Sequence, residues 1–296
     1  MCIRDRHITG QVEKAWLDAD TGFIHETRDQ LTFLKASSKR AYRISNANQA
    51  IAILHKAIQE AQTPPCGPVS VEIPIDIQGA KIPVSLITAP VKPTSVSAVD
   101  TTVVDTLWAQ LKQARQPLLW LGGGALGSAD AVKKLADAGV TVISSTHARG
   151  VLPDSHRASL RAFHNSPSVE ALIAQCDFTL VAGSRLRSNE TRSWTLELPH
   201  PRVQIDIDPA AASRNYLMDT TLVADCAALL TALAAKAQGR EWGDAQWDTQ
   251  VQQALAKAVA GLREQCGAYA KLNDAIENAL PQDGLLVRDI TVSGSL

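Results

Sequence analysis

Residues 116–127, QPLLWLGGGALG, join an apolar strand pattern to three glycines spaced as G-x-G-x-x-G, namely Gly122, Gly124 and Gly127. A turn of this kind lets a phosphate group approach backbone N–H groups at the start of a helix, because glycine has no side chain to block it. The same spacing also serves close packing between a helix and a strand. The local pattern therefore leaves a nucleotide site and a purely structural turn both open.

A nicotinamide dinucleotide site needs one feature more than the glycines. An acidic residue about 20 positions further on, at the end of the next strand, binds the ribose hydroxyls. Here the second strand pattern ends in VISST, which places Ser144 and Ser145 at that position. The sequence therefore disfavours NAD.

Short apolar strands alternate with amphipathic helices around this turn. The pattern predicts strands over 118–121, 140–144, 178–183 and 203–208, and helices over 99–115, 128–138, 168–175 and 222–237. This alternation is typical of an α/β fold in which a parallel, Rossmann-like sheet is covered by helices on both faces. Outside it we expect a helix over 46–61 capped by Ser45, a strand within 67–78, helices over 247–262 and 271–280, and a last strand after residue 284.

Composition narrows the classes of function. The 296 residues carry a net charge of -1 and no sustained basic run, so nothing attracts a nucleic-acid backbone. No apolar run approaches the roughly 18–20 residues that span a bilayer, which argues against a membrane protein. Five cysteines never form C-x-x-C, which argues against zinc and against a disulfide framework and favours free thiols in a reducing cytoplasm.

Several segments carry a family resemblance in collinear order. PLLWLGGGA, GVTVISSTHARGVLPDSH, CDFTLVAGSRL and VQIDIDPAAASRNY resemble the middle domain of thiamine-diphosphate-dependent enzymes of the acetolactate synthase and 2-oxoacid decarboxylase superfamily. ITGQV, GFIHETRDQL, SSKRAYRI and GPVSVEIPIDIQ resemble the second half of the same enzymes' pyrimidine-binding domain. DGLLVRDITVSGS resembles the first strand of their diphosphate-binding domain. The chain is identified as a member of that superfamily over about residues 8–296.

The resemblance implies a domain plan. Residues 7–80 form part of the pyrimidine-binding domain, 81–98 a linker, and 99–237 the central domain. Linker helices over 238–281 lead to the start of the diphosphate-binding domain over 282–296. MCIRDR, residues 1–6, reads as an artefact joined to a fragment of a longer chain.

The resemblance also places nucleotide-binding residues in the central domain. These are Gly122, Gly123 and Gly124 for a flavin diphosphate turn, Gly183 and Arg185 for a G-x-R segment, Asp206 for an adenosine contact, and Asp225 near a helix start. FAD is one candidate for this turn. Two departures weaken that expectation: Asn189 stands where flavin-binding members carry a second arginine, and Ala211 where they carry an acid. A lost charge-assisted contact costs roughly 1.5–3 kcal/mol.

Thiamine diphosphate chemistry follows from the same resemblance. The cofactor accepts the electron pair left when a 2-oxoacid loses CO2, giving an enamine that is protonated or adds to a second carbonyl. Gln11, His25 and Lys39 are the pocket candidates, and a titratable imidazole at residue 25 favours decarboxylation or a different acceptor over acetolactate formation. The alternative for His25 is an ordinary surface histidine. Glu26 is not the cofactor-activating glutamate, whose segment the resemblance places before residue 7.

The resemblance further implies thiamine diphosphate and Mg2+ in a full-length homodimeric or homotetrameric parent, and no metal ligands in this chain. We expect the chain alone to be inactive, since no G-D-G segment for the metal occurs in it. Two other classes stay open: a non-catalytic nucleotide-binding or regulatory protein, and a hydrolase using Ser144, His147 or His156. The hydrolase ranks last because the sequence lacks G-x-S-x-G.

Overall fold

The computed structural model describes residues 5–89, 99–281 and 283–287. The chain divides into two compact units, Met1–Ser97 and Ala98–Leu296. The described strands are β1 (Arg6–Gln11), β2 (Arg40–Arg43), β3 (Val69–Pro74), β4 (Pro117–Leu121), β5 (Thr141–Ser144), β6 (Phe178–Ala182), β7 (Arg202–Asp206) and β8 (Thr220–Val223). The described helices are α1 (Gln30–Ser37), α2 (Ala50–Gln62), α3 (Ile75–Gln78), α4 (Thr101–Leu111), α5 (Ala129–Asp137), α6 (Pro167–Ile173), α7 (Cys226–Lys236), α8 (Ala245–Cys266) and α9 (Ala268–Ala279).

The first unit contains a three-stranded parallel sheet with the order β1-β3-β2. β3 is central and almost wholly buried, as its valine-rich sequence favours. Its Val69 and Val71 belong to a small apolar core with Ala57 and Ala61 of α2. Because side chains alternate along a strand, the intervening Ser70 and Glu72 face the other side of the sheet.

The second unit contains a five-stranded parallel sheet with the order β5-β4-β6-β7-β8. Every residue of β4, β5 and β6 is buried. Leu119 and Leu121 pack into one apolar core with residues of α4, α5 and α7. Leu118 and Trp120 pack into another with residues of α6 and α8. The fold class predicted from the alternating pattern, α/β with a parallel sheet covered on both faces, is confirmed.

Some boundaries differ from the sequence predictions. The helix expected over 222–237 begins only at Cys226, because residues 220–223 form edge strand β8 and Asp225 caps the helix through the N–H of Ala228. Asn46, and not Ser45, provides the cap: its side chain accepts from the N–H of Asn48 in the short 3-10 turn Ala47–Gln49 that runs into α2. β1 and β2 were not anticipated, and β1 begins at Arg6, one residue before the expected domain boundary.

The strand expected after residue 284 is not seen where the structure describes the chain. Residues 284–287 have no strand assignment. The remainder of that segment lies outside the described residues. Within the described ranges, no helix combines the length and apolar character needed to cross a membrane.

Candidate functional site

The glycine turn lies where the order of the large sheet reverses. β4 pairs with β5 on one side and with β6 on the other. The chain therefore passes from β4 to β5 on one side of β4 and then crosses to β6 on its other side. In open parallel sheets, ligands bind in the crevice outside the carboxyl ends of the strands at such a switch point. Gly122 follows β4 and Gly183 follows β6, so the fold brings both predicted glycine segments to this point.

Backbone hydrogen bonds join the two glycine segments. Gly122 N–H donates to the carbonyl of Ala182 at 2.8 Å, and Gly124 N–H donates to the carbonyl of Gly183 at 3.0 Å. A Cβ on Gly124 would stand 2.8 Å from Cα of Gly183. Gly183 itself has a φ of +62°, a conformation that favours glycine. The glycines thus have a packing reason, and two of the three N–H groups of the Gly122–Gly124 turn already have acceptors.

Arg185, on the loop after β6, is half exposed and paired. Its Nη2 lies 2.9 Å from Oδ2 of Asp208, which follows β7. The side chain of Asn215 donates to the carbonyl of Arg185 at 2.6 Å. The guanidinium group therefore lies at the carboxyl edge of the sheet with a carboxylate partner supplied by the protein.

The same loop holds a second ion pair that the sequence reasoning missed. Arg187 donates to the buried carboxylate of Glu190 and to Nδ1 of His147 at 3.0 Å. The carbonyl of Asn189, at the position of the missing family arginine, accepts from the side chain of Asn165 at 2.8 Å. A salt bridge three residues apart in a loop gives no recognisable sequence signal, so this pair could not be identified from the pattern alone.

Asp206 and Asp225 both act electrostatically on the thiol of Cys226. Oδ1 of Asp206 accepts from the N–H of Asp208 at 2.9 Å, and burial raises the pKa of the Asp206 carboxyl. Asp225 caps α7 at 2.9 Å from the N–H of Ala228. Burial, with smaller contributions from both acids, raises the pKa of the Cys226 thiol to about 12. The cysteine is thus an inert buried thiol. Asp206 ends β7 and Asp225 follows β8, so both acids lie at the carboxyl edge of the sheet near its outer strands.

His164 is a further residue that sequence reasoning missed. Its ring stacks on that of Trp120 with centroids 5.9 Å apart, and only 6% of the residue is exposed. Neither ring nitrogen has a hydrogen-bond partner among the described residues. Burial lowers the pKa of the imidazole, against a smaller opposing effect of Glu190. Its sequence context, FHNS, contains nothing that distinguishes it from a loop histidine.

In the first unit the pocket candidates separate into two places. Gln11 ends β1 and pairs in register with Pro74, at the carboxyl edge of the sheet. Lys39 precedes β2, and its N–H donates to the carbonyl of Pro68 at the opposite edge. At about 3.3 Å per residue, the two edges of this sheet are roughly 16 Å apart. The structure therefore does not bring Lys39 together with Gln11.

Lys39 instead serves the end of a helix. Its Nζ donates to the carbonyls of Glu60 at 2.7 Å and Thr63 at 2.8 Å, where α2 terminates. A cation near the last carbonyls of a helix is favourable both as a donor and against the helix dipole.

His25 lies in the loop that follows β1, and this loop leaves the sheet at the same carboxyl edge as Gln11. The residue is exposed and has a φ of +67°. Arg43, which bonds Asp18 of this loop, also bonds Glu72 of β3, a fully buried carboxylate that accepts from Nε2 of Gln30 at 3.2 Å. The sequence analysis did not single out this buried carboxylate.

Comparison with known proteins identifies the second unit. Residues 104–233 match the model of the thiamine pyrophosphate enzyme central domain. This match supports membership of the thiamine pyrophosphate enzyme superfamily for the second unit. It is 26% identical over 274 residues to the acetolactate synthase large subunit of Corynebacterium glutamicum, covering 88% of this chain and 43% of that protein.

Two further relatives match similar shares of this chain and of their own length. The acetolactate synthase isozyme 1 large subunit of Escherichia coli is 25% identical, with 79% of this chain and 42% of that protein covered. The probable 2-ketoarginine decarboxylase AruI of Pseudomonas aeruginosa is 25% identical, with 91% and 48% covered. The chain thus spans less than half the length of these curated relatives.

The family match runs from α4 to α7 and so contains all five strands of the large sheet. Gln11, His25 and Lys39 lie outside the matched residues. The hydrolase alternative finds no support in the central domain: Ser144 is buried, and His156 bonds Asp137 at 3.0 Å. No hydrogen bond among the described residues links Ser144 to His147 or His156.

Proposed function

We propose that the protein containing this chain is a thiamine-diphosphate-dependent enzyme that removes CO2 from a 2-oxoacid, as a decarboxylase or as a carboligase of the acetolactate synthase kind. The match of residues 104–233 to the central domain carries the proposal. Relatives named as acetolactate synthases and as a 2-ketoarginine decarboxylase support the substrate class. In this proposal residues 7–80 belong to the pyrimidine-binding domain and residues 99–237 to the central domain.

When bound, thiamine diphosphate supplies the electron sink that the loss of CO2 requires. In this proposal the chain itself contributes Gln11 and His25. Gln11 lies at the carboxyl end of β1, and His25 lies in the loop that follows. The Gln11 side chain positions a polar group of the cofactor or substrate. In this proposal the His25 imidazole donates or accepts a proton at the substrate. We assign Lys39 no such role, since its ammonium group is bound by helix carbonyls.

A dinucleotide diphosphate at the switch point would need free N–H donors and an unpaired cation. The N–H groups of Gly122 and Gly124 have acceptors in the protein. Each arginine in the described loop 183–195 has a carboxylate partner: Asp208, Glu190 and Glu170 pair with Arg185, Arg187 and Arg192 respectively. The residues present therefore fit FAD poorly.

The metal and the assembly are parts of the same proposal. The cofactor would need a divalent cation such as Mg2+, which takes oxygen ligands; among the residues that the structure describes, no group of three or more His, Cys, Asp or Glu residues could hold one. A homodimer or homotetramer is proposed because active sites of this superfamily form between subunits.

The test is CO2 release from a panel of 2-oxoacids by the complete gene product that contains this sequence, with and without thiamine diphosphate and Mg2+. We expect release that depends on both additions. Saturable adenine-nucleotide binding without any turnover would instead favour the non-catalytic nucleotide-binding alternative.

A further inference from the structure

The segment from residue 12 to residue 29, here called the β1–α1 loop, has an unusual backbone. Several of its residues have positive φ: Asp18, Asp20, Gly22, His25 and Asp29, at 57°, 55°, 72°, 67° and 48°. Such conformations are unfavourable for residues other than glycine and persist only where the surrounding structure fixes them. They also cluster at functional sites. The contacts that hold this loop therefore bear on what it presents.

One carboxylate closes the tip of the loop. Oε1 of Glu26 accepts from the N–H of Asp20 at 2.6 Å. Oε2 accepts from the N–H of Phe23 at 2.9 Å and from the N–H of Thr21 at 3.1 Å. The N–H of Glu26 in turn donates to the carbonyl of Phe23 at 2.8 Å. Hydrogen bonds to an ionised acceptor are stronger than neutral ones, so this single side chain organises residues 20–26.

Other contacts fix the base of the loop and reach its tip. The rings of Trp16 and Phe23 stack with centroids 5.4 Å apart and an angle of 11° between planes. Asp18 bonds Arg43 at 2.8 Å, and Arg43 also bonds the buried Glu72 of β3. The loop is therefore tied to the sheet before residue 20. At the tip, beside the Trp16–Phe23 stack and an ion pair between Asp20 and Arg28, Glu26 is the side chain that accepts from three backbone N–H groups.

The tip displays two side chains and buries neither. Ile24 is 70% exposed and His25 is exposed. A loop closed only for stability gains nothing from exposing a large aliphatic side chain at its apex. The displayed pair offers an apolar surface beside a group that transfers protons, which suits a 2-oxoacid with its carbonyl and its hydrocarbon portion.

We infer that Glu26 is a positioning residue, whose carboxylate holds the β1–α1 loop so that Ile24 and His25 are presented together. The inference rests on the proposed function, since it takes His25 to be a pocket residue. Glu26 has no part in activating the cofactor. It acts through the backbone of residues 20–25.

The test is nuclear magnetic resonance of the full 296-residue chain with Glu26→Ala, Glu26→Gln and Glu13→Ala. In Glu26→Ala we expect amide hydrogen exchange at Thr21 and Phe23 to accelerate at least tenfold. The Cα and Cβ chemical shifts of His25 should move away from left-handed values. Glu26→Gln keeps one carbonyl acceptor and should retain part of the protection. The thermal unfolding midpoint should be unchanged, because the tip buries no core.

Glu13→Ala is the matched control, since this exposed glutamate lies in the same loop and its side chain has no hydrogen bond among the described residues. It should behave as the unmodified chain. Unprotected amides at Thr21 and Phe23 in the unmodified chain, or unchanged His25 shifts in Glu26→Ala, would overturn the inference. None of these measurements needs thiamine diphosphate. If the loop responds as stated while the complete gene product releases no CO2, the proposed function alone fails.

Discussion

Gly122 lies so close to Gly183 that a Cβ on Gly122 would stand 2.1 Å from the carbonyl oxygen of Gly183. The two residues follow neighbouring strands of the large sheet, and the N–H of Gly122 donates to the carbonyl of Ala182. The first glycine of the G-x-G-x-x-G motif is therefore required by strand packing, whether or not a phosphate ever binds the turn.

Gly122→Ala should destabilise the second unit by about 3 kcal/mol, the upper end for overpacking a core, because the opposing atoms are backbone and cannot move aside. Urea unfolding followed by tryptophan fluorescence measures the loss. Gly261→Ala in α8 is the matched control, since a Cβ there meets nothing within 4 Å. That control should gain up to about 1 kcal/mol from helix propensity. Equal stabilities of the two variants would refute the packing argument.

The sequence predicted the second unit well because its strands are short apolar runs bounded by turn residues, as in β4 and β6. β1 and β2 were missed because RHITGQ and RAYR are rich in polar residues and contain no buried residue, and their pairing with β3 is a property of the folded sheet. The close approach of Gly122 to Gly183 joins segments far apart in the chain. The burial of His164 against Trp120 depends in the same way on tertiary packing, which local patterns do not encode.

His164 should make the stability of the second unit depend on pH. Burial lowers the pKa of the folded imidazole below the unfolded value of about 6.5, so the unfolded state binds more protons between the two values. Stability is therefore complete above about pH 6.5 and falls as the pH drops below it. His164 contributes at most about 1.4 kcal/mol per pH unit to the slope of the unfolding free energy against pH. His164→Phe keeps a ring on Trp120, and urea unfolding from pH 7.5 to 5 should show a smaller slope. An unchanged slope would contradict the assignment.

Lys39 should matter for stability and not for chemistry. Lys39→Met keeps most of the aliphatic stem and removes two hydrogen bonds to the end of α2, so we expect a loss of about 1–2 kcal/mol. Thermal unfolding of the first unit reports this loss, with Lys35→Met on the exposed part of α1 as the control. In the complete gene product, kcat for a 2-oxoacid should stay within about twofold. A large fall in kcat with unchanged stability would indicate instead that Lys39 acts in the pocket.

FAD should show no saturable binding to the chain, because the guanidinium groups of loop 183–195 are paired and residue 189 is neutral. Asn189→Arg restores one cation at the family position and should strengthen any flavin binding, by about 1.5–3 kcal/mol if the contact is charge-assisted. Flavin fluorescence quenching measures both. Asn189→Gln serves as the uncharged control. Tight FAD binding by the unmodified chain would show that the arginine pairs open for the ligand.

Thiamine diphosphate with Mg2+ should give no saturable heat in calorimetry with the 296-residue chain, and 2-oxoacids should release no CO2. Mg2+ takes near-octahedral oxygen ligands at about 2.0–2.1 Å, and the resemblance assigns these to a G-D-G segment that residues 1–296 lack. GDA at residues 243–245 does not replace it, since Asp244 caps α8 through the N–H of Trp247 at 2.8 Å. Within the described ranges, no group of three or more His, Cys, Asp or Glu residues could hold a metal ion.

The complete gene product is the positive control. Micromolar binding by the 296-residue chain, or measurable turnover, would mean that the cofactor is held by residues in this sequence, and the site would have to be sought again among them.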